Sequence, residues 1–229
     1  MQHIVKGLLS FVVLLLLATA PVNAQRSELG FGIGTFNYTG DLVRTYNFKY
    51  SKPAGTVFYR SNISNVVSFR AAVTAGQIGA SEKPIDAFAV KRNASFNLFL
   101  FEASTVMEYH FLRWHDTKRF TRFSPYLFGG LGLFSIAGNA EKNGDYSNVQ
   151  LAIPFGGGVK YVLNPKWYLG LEFGIRKTFF DYLDNISAGN PKDKNFQYGN
   201  PNDNDTYFFL GLTLTRTFYD IPCPKNPYK

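Results

Sequence analysis

The first residues to consider for chemistry are two glutamates and a serine that lie close together. Glu102, Ser104 and Glu108 belong to the stretch FEASTVMEYH. Paired carboxylates can serve as acid and base in glycoside hydrolysis, and a serine beside a base can serve as a nucleophile. Glu102 and Glu108 also share one register of an extended strand, where alternate side chains share a face. Paired polar groups on an inner face therefore explain them more simply than an active site does.

The other patterns that suggest chemistry are weaker still. His110 and His115 have no Cys or carboxylate cluster at metal-ligand spacing. The stretch GFGIG at 30–34 resembles a dinucleotide-binding loop, but its glycines alternate with apolar residues and no helix pattern follows. The sequence therefore predicts no catalytic residue, no metal ligand and no cofactor, and the protein is not expected to be an enzyme.

A charged pair inside an apolar run points to a different role for the charges. WYLGLEFGIRKTFF at 167–180 carries Glu172 and Arg176 in one register and mainly Leu, Phe and Ile in the other. An arginine on the lipid face of a membrane strand would cost about 2–4 kcal/mol near the midplane. On the inner face of a barrel the cost is far smaller if the charge has a partner. Both side chains are therefore expected to point inward.

Period-two segments of this kind recur along the chain between turn-like stretches, and no segment after residue 25 has a convincing helical period. Most are longer than the five or six residues, roughly, that are usual in soluble sheets. Spans of about ten residues suit tilted membrane strands. The predicted strands are Glu28–Tyr38, Ala54–Asn62, Val66–Ile78, Ala94–Phe111, Phe123–Ala137, Val149–Leu163, Trp167–Phe180 and Thr206–Tyr219.

The connections between these segments alternate in length. Long polar connections follow the first, third, fifth and seventh segments, and shorter ones follow the second, fourth and sixth. Outer-membrane barrels have long external loops, short periplasmic turns and an even strand number. The sequence therefore predicts an all-β protein, an eight-stranded antiparallel up-and-down barrel that spans the outer membrane.

The predicted inner face carries charges of both signs. An eight-stranded barrel is just wide enough inside for side chains to fill it, so these groups are expected to form an ion-pair network and not to line a pore. The fifth segment has apolar residues in both registers, and its faces stay unassigned. The network residues are Arg70, Glu102, Glu108, Lys160, Glu172 and Arg176, and the aromatic residues predicted at the membrane interfaces are Tyr38, Tyr59, Tyr109, Trp167, Phe180 and Tyr219.

Composition and the chain ends agree with an exported barrel. Aromatic and charged residues each make up 17% of the chain, and this charged fraction is below the usual value of about 25%. The start has a basic residue, an apolar stretch shorter than a membrane span and a small-residue site, which predicts a cleaved signal peptide at 1–24 and not an anchor. The barrel is predicted at 25–219 and a short periplasmic tail at 220–229, where the lone Cys223 has no internal disulfide partner.

The net charge of +8 raises the question of nucleic acid, but the basic residues are scattered and no recognition motif accompanies them. One local concentration stands in RWHDTKRFTR at 113–122, which the topology places at the periplasmic side. Two interpretations stay open: contact with phospholipid headgroups, or docking of a periplasmic partner. The residues of this possible docking turn are Arg113, His115, Lys118, Arg119 and Arg122.

The order of three blocks resembles a known family. YTGDL at 38–42, RFSPYLFGGLG at 122–132 and FFDYLDNIS at 179–187 are similar to blocks of the PorG-like outer-membrane barrels of the type IX secretion system in Bacteroidetes. The likeness covers essentially the whole exported chain. It implies a non-enzymatic component that positions a periplasmic ring, built of proteins of PorK and PorN type, under the outer membrane. The machine exports proteins that include proteases and gliding adhesins.

The alternatives are a small outer-membrane barrel that acts through its external loops, in an adhesive or stabilising role, and an outer-membrane lipid-modifying enzyme. The first would depend on residues 181–205, in the long connection before the last predicted strand. The second would need His, Ser or carboxylate groups that converge at one rim, and the sequence offers no such set. The expected partners are therefore membrane lipid and the periplasmic ring proteins, with no nucleic acid and no small-molecule substrate.

Overall fold

The chain folds into a closed antiparallel barrel. The structure is a computed structural model that describes residues 26–40, 46–81, 95–112, 122–138, 149–179 and 205–218. Each strand pairs with its neighbour in the chain, and the first pairs with the last, so the prediction of an eight-stranded up-and-down barrel is confirmed. The strands are β1 (Arg26–Thr39), β2 (Lys52–Asn62), β3 (Val67–Ser81), β4 (Ser95–His110), β5 (Phe123–Ala137), β6 (Val149–Asn164), β7 (Trp167–Thr178) and β8 (Thr206–Phe218).

The observed bounds differ from the predicted ones by a few residues. β5 matches the prediction at both ends, whereas β3 continues past the predicted end at Ile78 as far as Ser81. Ser81 pairs with Ser95 of β4, so the hairpin of β3 and β4 continues beyond the segment of alternating apolar residues. Residues 26–218 form one compact unit. The predicted signal peptide at 1–24 and tail at 220–229 lie outside the described residues.

Only one short helix, the 3-10 turn Phe48–Tyr50 between β1 and β2, occurs in the described residues. None of the helical structure in these residues is long and apolar enough to cross a membrane. Tyr46, close before this turn, lies on the outside of the barrel, where its ring packs edge-on against Phe173 and Phe208 at centroid distances of 6.1 and 5.4 Å. The side chain of Asn37 holds the chain before the turn by donating to the Asn47 carbonyl oxygen.

One register of each strand faces the interior and the other faces outward, as the period-two pattern predicts. On β7, Glu172 and Arg176 are buried, whereas Leu171 is 50% exposed. Glycines of the inner register make room for large neighbours: a Cβ on Gly158 would lie 2.6 Å from the Tyr126 hydroxyl oxygen. The exterior therefore carries the apolar belt of a membrane-spanning barrel, and the interior is filled by side chains.

The structure assigns the faces of β5, which the sequence left open. Tyr126, Phe128 and Phe134 are buried in the interior, whereas Leu127 and Leu131 are exposed on the outside. Both registers are apolar because one of them faces the membrane and the other fills the lumen. Alternation of polarity therefore disappears wherever a barrel packs its interior with aromatic side chains.

The aromatic residues predicted at the membrane interfaces fall into three groups. Tyr59 and Tyr109 are exposed on the outer face, and Trp167 is half-buried there. Tyr38 was wrongly placed: it is fully buried, and its hydroxyl donates to the Asp205 carboxylate at 2.7 Å. The register explains the difference, since Tyr38 shares the inner register of β1 with Phe36. Phe180 and Tyr219 lie outside the described residues.

A proline interrupts the pairing of β5 with β6. The register pairs Gly129 with Phe155 and Gly132 with Ala152, and no pair is formed between them. Pro154 lies in this gap, and proline has no N–H with which to bond a neighbouring strand. On its other side Pro154 still pairs with Arg176 of β7. The wall of the barrel is therefore continuous, but its β5–β6 ladder contains a local break.

Candidate functional site

Glu108 is the centre of a buried charge cluster in the half of the lumen nearest the short turns. It projects inward from β4, and its carboxylate lies 2.8 Å from Nε of Arg60 and 3.0 Å from Nε of Arg70. Lys160 and His110 approach the same carboxylate at 3.5 and 3.2 Å. Three strands besides β4 thus contribute basic groups to one glutamate, which ties opposite walls of the barrel together.

Arg70 connects Glu108 to the middle of the barrel. Its guanidinium forms ion pairs with both Glu108 and Glu172. The Tyr126 hydroxyl donates to Glu172 at 3.0 Å, and the Phe128 ring lies 5.1 Å from the Arg70 guanidinium carbon. Hydrogen bonds to ionised groups are stronger than hydrogen bonds between neutral groups. The bonds from Arg70 and Tyr126 therefore hold the Glu172 carboxylate firmly inside the barrel.

Glu28 and Arg60 extend the cluster to the first two strands. Arg60 donates to Glu28 at 2.6 Å, and the Asn62 amide donates to the other carboxylate oxygen at 2.6 Å. The Ser68 hydroxyl donates in turn to Asn62. Sequence reasoning missed Glu28 and Arg60, although both stand in the inward register of their strands, and that register would have found them.

A second cluster lies toward the long loops. Nε of Arg176 lies 3.2 Å from Glu102, and the Tyr207 hydroxyl donates to the same carboxylate oxygen at 2.8 Å. The Arg176 guanidinium carbon also lies 5.2 Å from the centre of the Phe209 ring. The pair is thus enclosed between the first cluster and the aromatic layer above it.

The described ion pairs of the lumen balance in charge. Four carboxylates meet three guanidinium groups and one lysine ammonium group, and all of them are buried. The six residues that the sequence placed on the inner face each form an ion pair in the structure, and Glu28 and Arg60 pair with them. We call this set the lumen network; its members are Glu28, Arg60, Arg70, Glu102, Glu108, Lys160, Glu172 and Arg176. An uncompensated charge at these positions would be costly, whereas the balanced set needs no counter-ion.

An aromatic and aliphatic layer closes the half of the lumen nearest the long loops. Phe36 contacts Tyr207 and Phe209, with ring centroids 5.7 Å apart in both cases, and Phe134 packs against Tyr207 at 5.6 Å. The layer consists of Phe36, Tyr38, Ala54, Ile78, Ala80, Leu98, Leu100, Phe134, Ile136, Ala152, Tyr207 and Phe209. The lumen therefore has two levels, one ionic and one apolar, and side chains fill both.

The geometry does not assemble the hydrolytic residues that the sequence suggested. In the described residues no hydrogen bond joins Ser104 to a glutamate or a histidine, whereas Glu102 and Glu108 are held in separate clusters by basic groups. A nucleophile needs a base within hydrogen-bond reach. The described residues also contain no group of three His, Cys, Asp or Glu that is placed to hold a metal. The arrangement supports a structural role for these carboxylates.

The end of the barrel that carries the short turns is basic on the outside. Arg113, His115, Lys118 and Arg119 of the predicted docking turn lie outside the described residues. Arg122 is exposed beside β5, and its carbonyl oxygen accepts a hydrogen bond from the backbone N–H of residue 162 at 2.7 Å. Within the described part of the chain every Asp and Glu is buried, so the exposed charges there are all basic.

Solved structures share the fold of the chain at low sequence identity. Neisserial surface protein A superimposes with a TM-score of 0.55 at 14% identity, over 84% of this chain and 97% of that one. Ail, the attachment invasion locus protein of Yersinia pestis, gives 0.47 at 11% identity over 86% and 100%. The outer membrane protein OprG from Pseudomonas aeruginosa gives 0.47 at 9% over 86% and 97%. The first of these supports the fold of an eight-stranded outer-membrane barrel.

Comparison at the level of sequence gives the family. No curated protein matches the chain. A family described as a domain of unknown function matches residues 6–226, which include every strand of the barrel. The chain therefore belongs to the DUF6089 family, and it folds as a closed eight-stranded barrel with a filled, charge-balanced lumen.

Proposed function

We propose that this protein is a non-enzymatic component of the type IX protein secretion machinery in the cell outer membrane. In this role the barrel anchors a periplasmic ring of PorK and PorN type. The resemblance of the blocks at 38–42, 122–132 and 179–187 to PorG-like barrels suggests the machine. The observation that carries the proposal is the basic exterior of the short-turn end, since short turns face the periplasm in barrels of this class.

A filled lumen suits an anchor better than it suits a channel. The lumen network and the apolar layer occupy the interior, so the barrel offers a fixed position in the bilayer and a rigid periplasmic rim. Exposed basic residues on that rim, such as Arg122 and Lys166, would attract an acidic surface of the ring. Rim charges act mainly on association rate and orientation, which is what positioning a large ring under the membrane requires.

The docking turn can be tested by neutralising it. We expect that changing Arg113, Lys118, Arg119 and Arg122 together to Ser lowers co-purification of the ring proteins several-fold, because their charge contribution to encounter and docking is lost. The barrel itself should stay folded, since Arg122 uses only its backbone to contact β6. Affinity purification from membranes followed by quantitative mass spectrometry measures the recovery.

The matched control neutralises basic residues at the other end of the barrel. Lys49, Lys52 and Lys177 lie near the long loops, and their replacement by Ser should leave recovery of the ring unchanged. Equal recovery of the ring proteins with the docking-turn variant and with the wild type would contradict the assignment of the docking turn.

If deletion of residues 181–204 abolished the biological activity while secretion continued, the external loops would be the functional part, as in an adhesive barrel.

A further inference from the structure

An exposed arginine on the outer face near the short turns is held by aromatic rings. Arg216 stands in the outward register of β8, where it pairs across to Trp167 on β7 and to Leu29 on β1. Its guanidinium carbon lies 5.9 Å from the centre of the Trp167 ring and 5.2 Å from that of Phe218. Guanidinium faces are attracted to aromatic rings. The two rings therefore hold the Arg216 guanidinium in place and leave its N–H groups exposed.

Arg216 has no acidic partner in the described part of the chain. The carboxylates there are buried in the lumen, on the opposite side of the barrel wall from Arg216. The contrast with Lys177 is informative, since that outward-facing ammonium near the long loops already donates to the Thr206 hydroxyl at 3.3 Å. Arg216 is therefore a fixed cation whose hydrogen-bond donors are available to a ligand.

A second basic residue lies beside Arg216. The carbonyl oxygen of Lys166 accepts a hydrogen bond at 2.9 Å from the backbone N–H of Thr217, which brings the turn between β6 and β7 next to the end of β8. The Lys166 side chain is exposed. A planar guanidinium that can bind two oxygens, with an exposed lysine in the adjacent turn, is a combination that suits a phosphate group.

The depth of the site in the membrane identifies the kind of phosphate. Trp167 and Phe218 stand at the end of the apolar belt nearest the short turns, and Tyr59 is exposed on the same level of β2, across Leu29 from Arg216. Rings of this kind mark the boundary between hydrocarbon and headgroups. We propose that Arg216 and Lys166 bind the headgroup phosphate of a glycerophospholipid in the leaflet that faces the short turns.

The proposal predicts a loss of bound lipid when the guanidinium is removed. Purified full-length protein in detergent is titrated with phosphatidylglycerol, and native mass spectrometry measures the fraction that carries one lipid. Arg216→Gln should weaken retention of the lipid about tenfold, since a bidentate charged contact is lost. Arg216→Lys should give an intermediate value because it keeps the charge without the planar fork, and Lys166→Gln should give a smaller loss.

Lys177→Gln is the matched control and should bind lipid like the wild type. Equal retention by Arg216→Gln and Lys177→Gln would overturn the proposal. Displacement of the lipid by an equal concentration of inorganic phosphate would also overturn it, because the site would then recognise a free anion. So would unchanged lipid binding together with loss of a co-purifying protein from Arg216→Gln, since the patch would then be a protein contact.

Discussion

Glu108→Gln is expected to destabilise the folded barrel by about 3–5 kcal/mol, the typical cost of removing one partner from a buried ion pair. The carboxylate has Arg60, Arg70 and Lys160 within ion-pair distance. Neutralising it leaves these three cations with an uncompensated charge inside the barrel. The change keeps the shape of the side chain, so the loss reports charge and not packing.

Equilibrium urea unfolding in lipid vesicles measures this effect, with the folded fraction read from the gel mobility of unheated samples. Glu141→Gln makes the same chemical change in the sequence between β5 and β6, and should alter stability by less than about 0.5 kcal/mol. A loss below about 1 kcal/mol for Glu108→Gln would mean that the lumen is hydrated and the network loosely held.

The same network predicts non-additivity between its members. Arg70→Gln and Glu172→Gln should each destabilise the barrel, because each removes an ion-pair partner from a buried charge. The double variant removes both charges and should lose less stability than the sum of the two single losses. Coupling energies between contacting residues are about 0.5–3 kcal/mol, so additive losses would contradict the ion pair.

Leu212→Arg is expected to cost about 2–4 kcal/mol, the range for an arginine placed on the lipid face near the bilayer midplane. Leu212 is 52% exposed and lies in the middle of β8, flanked by Ile33 and Leu171 on the neighbouring strands. Its exposed surface is apolar and meets hydrocarbon in a membrane. Folding into vesicles from urea measures the cost, and folding as stable as that of the wild type would show that this face meets water.

Ser81→Arg is the control for that substitution. Ser81 is exposed at the end of β3, in the part of the β3–β4 hairpin nearest the long connection. The cost of an outward arginine falls to about 0–1 kcal/mol near the interfaces, so this variant should fold nearly as well as the wild type. A similar cost at both positions would argue against a depth-dependent, lipid-facing exterior.

The barrel fold could be predicted from the sequence because a simple physical constraint governs each strand. Side chains alternate between two faces, and charges such as Glu172 and Arg176 are tolerated on only one of them, so the register of each polar strand follows. The faces of β5 could not be assigned from the sequence because its inner face is apolar. Tyr38 was placed on the wrong face because aromatic residues occur on both faces of the barrel wall. The same alternation applies to Glu28 and Arg60, whose neighbours Leu29 and Tyr59 face outward.

The function is less accessible to such reasoning than the fold. Periodicity gives the direction of a side chain, but the identity of a partner depends on surface detail at the docking turn, most of which lies outside the described residues. The packing of Arg216 against Trp167 and Phe218 also could not be predicted from the sequence. It depends on the pairing of β7 with β8, which brings Trp167 beside a residue far away in the chain.

The most direct test of the account is whether the closed lumen conducts ions. The lumen network and the aromatic layer fill an interior that is just wide enough for side chains in a barrel of eight strands. Purified full-length protein in planar lipid bilayers should therefore give no stable single-channel current at either polarity. Long-lived, uniform conductance steps from the wild-type protein would contradict the filled barrel and, with it, the role of a passive anchor.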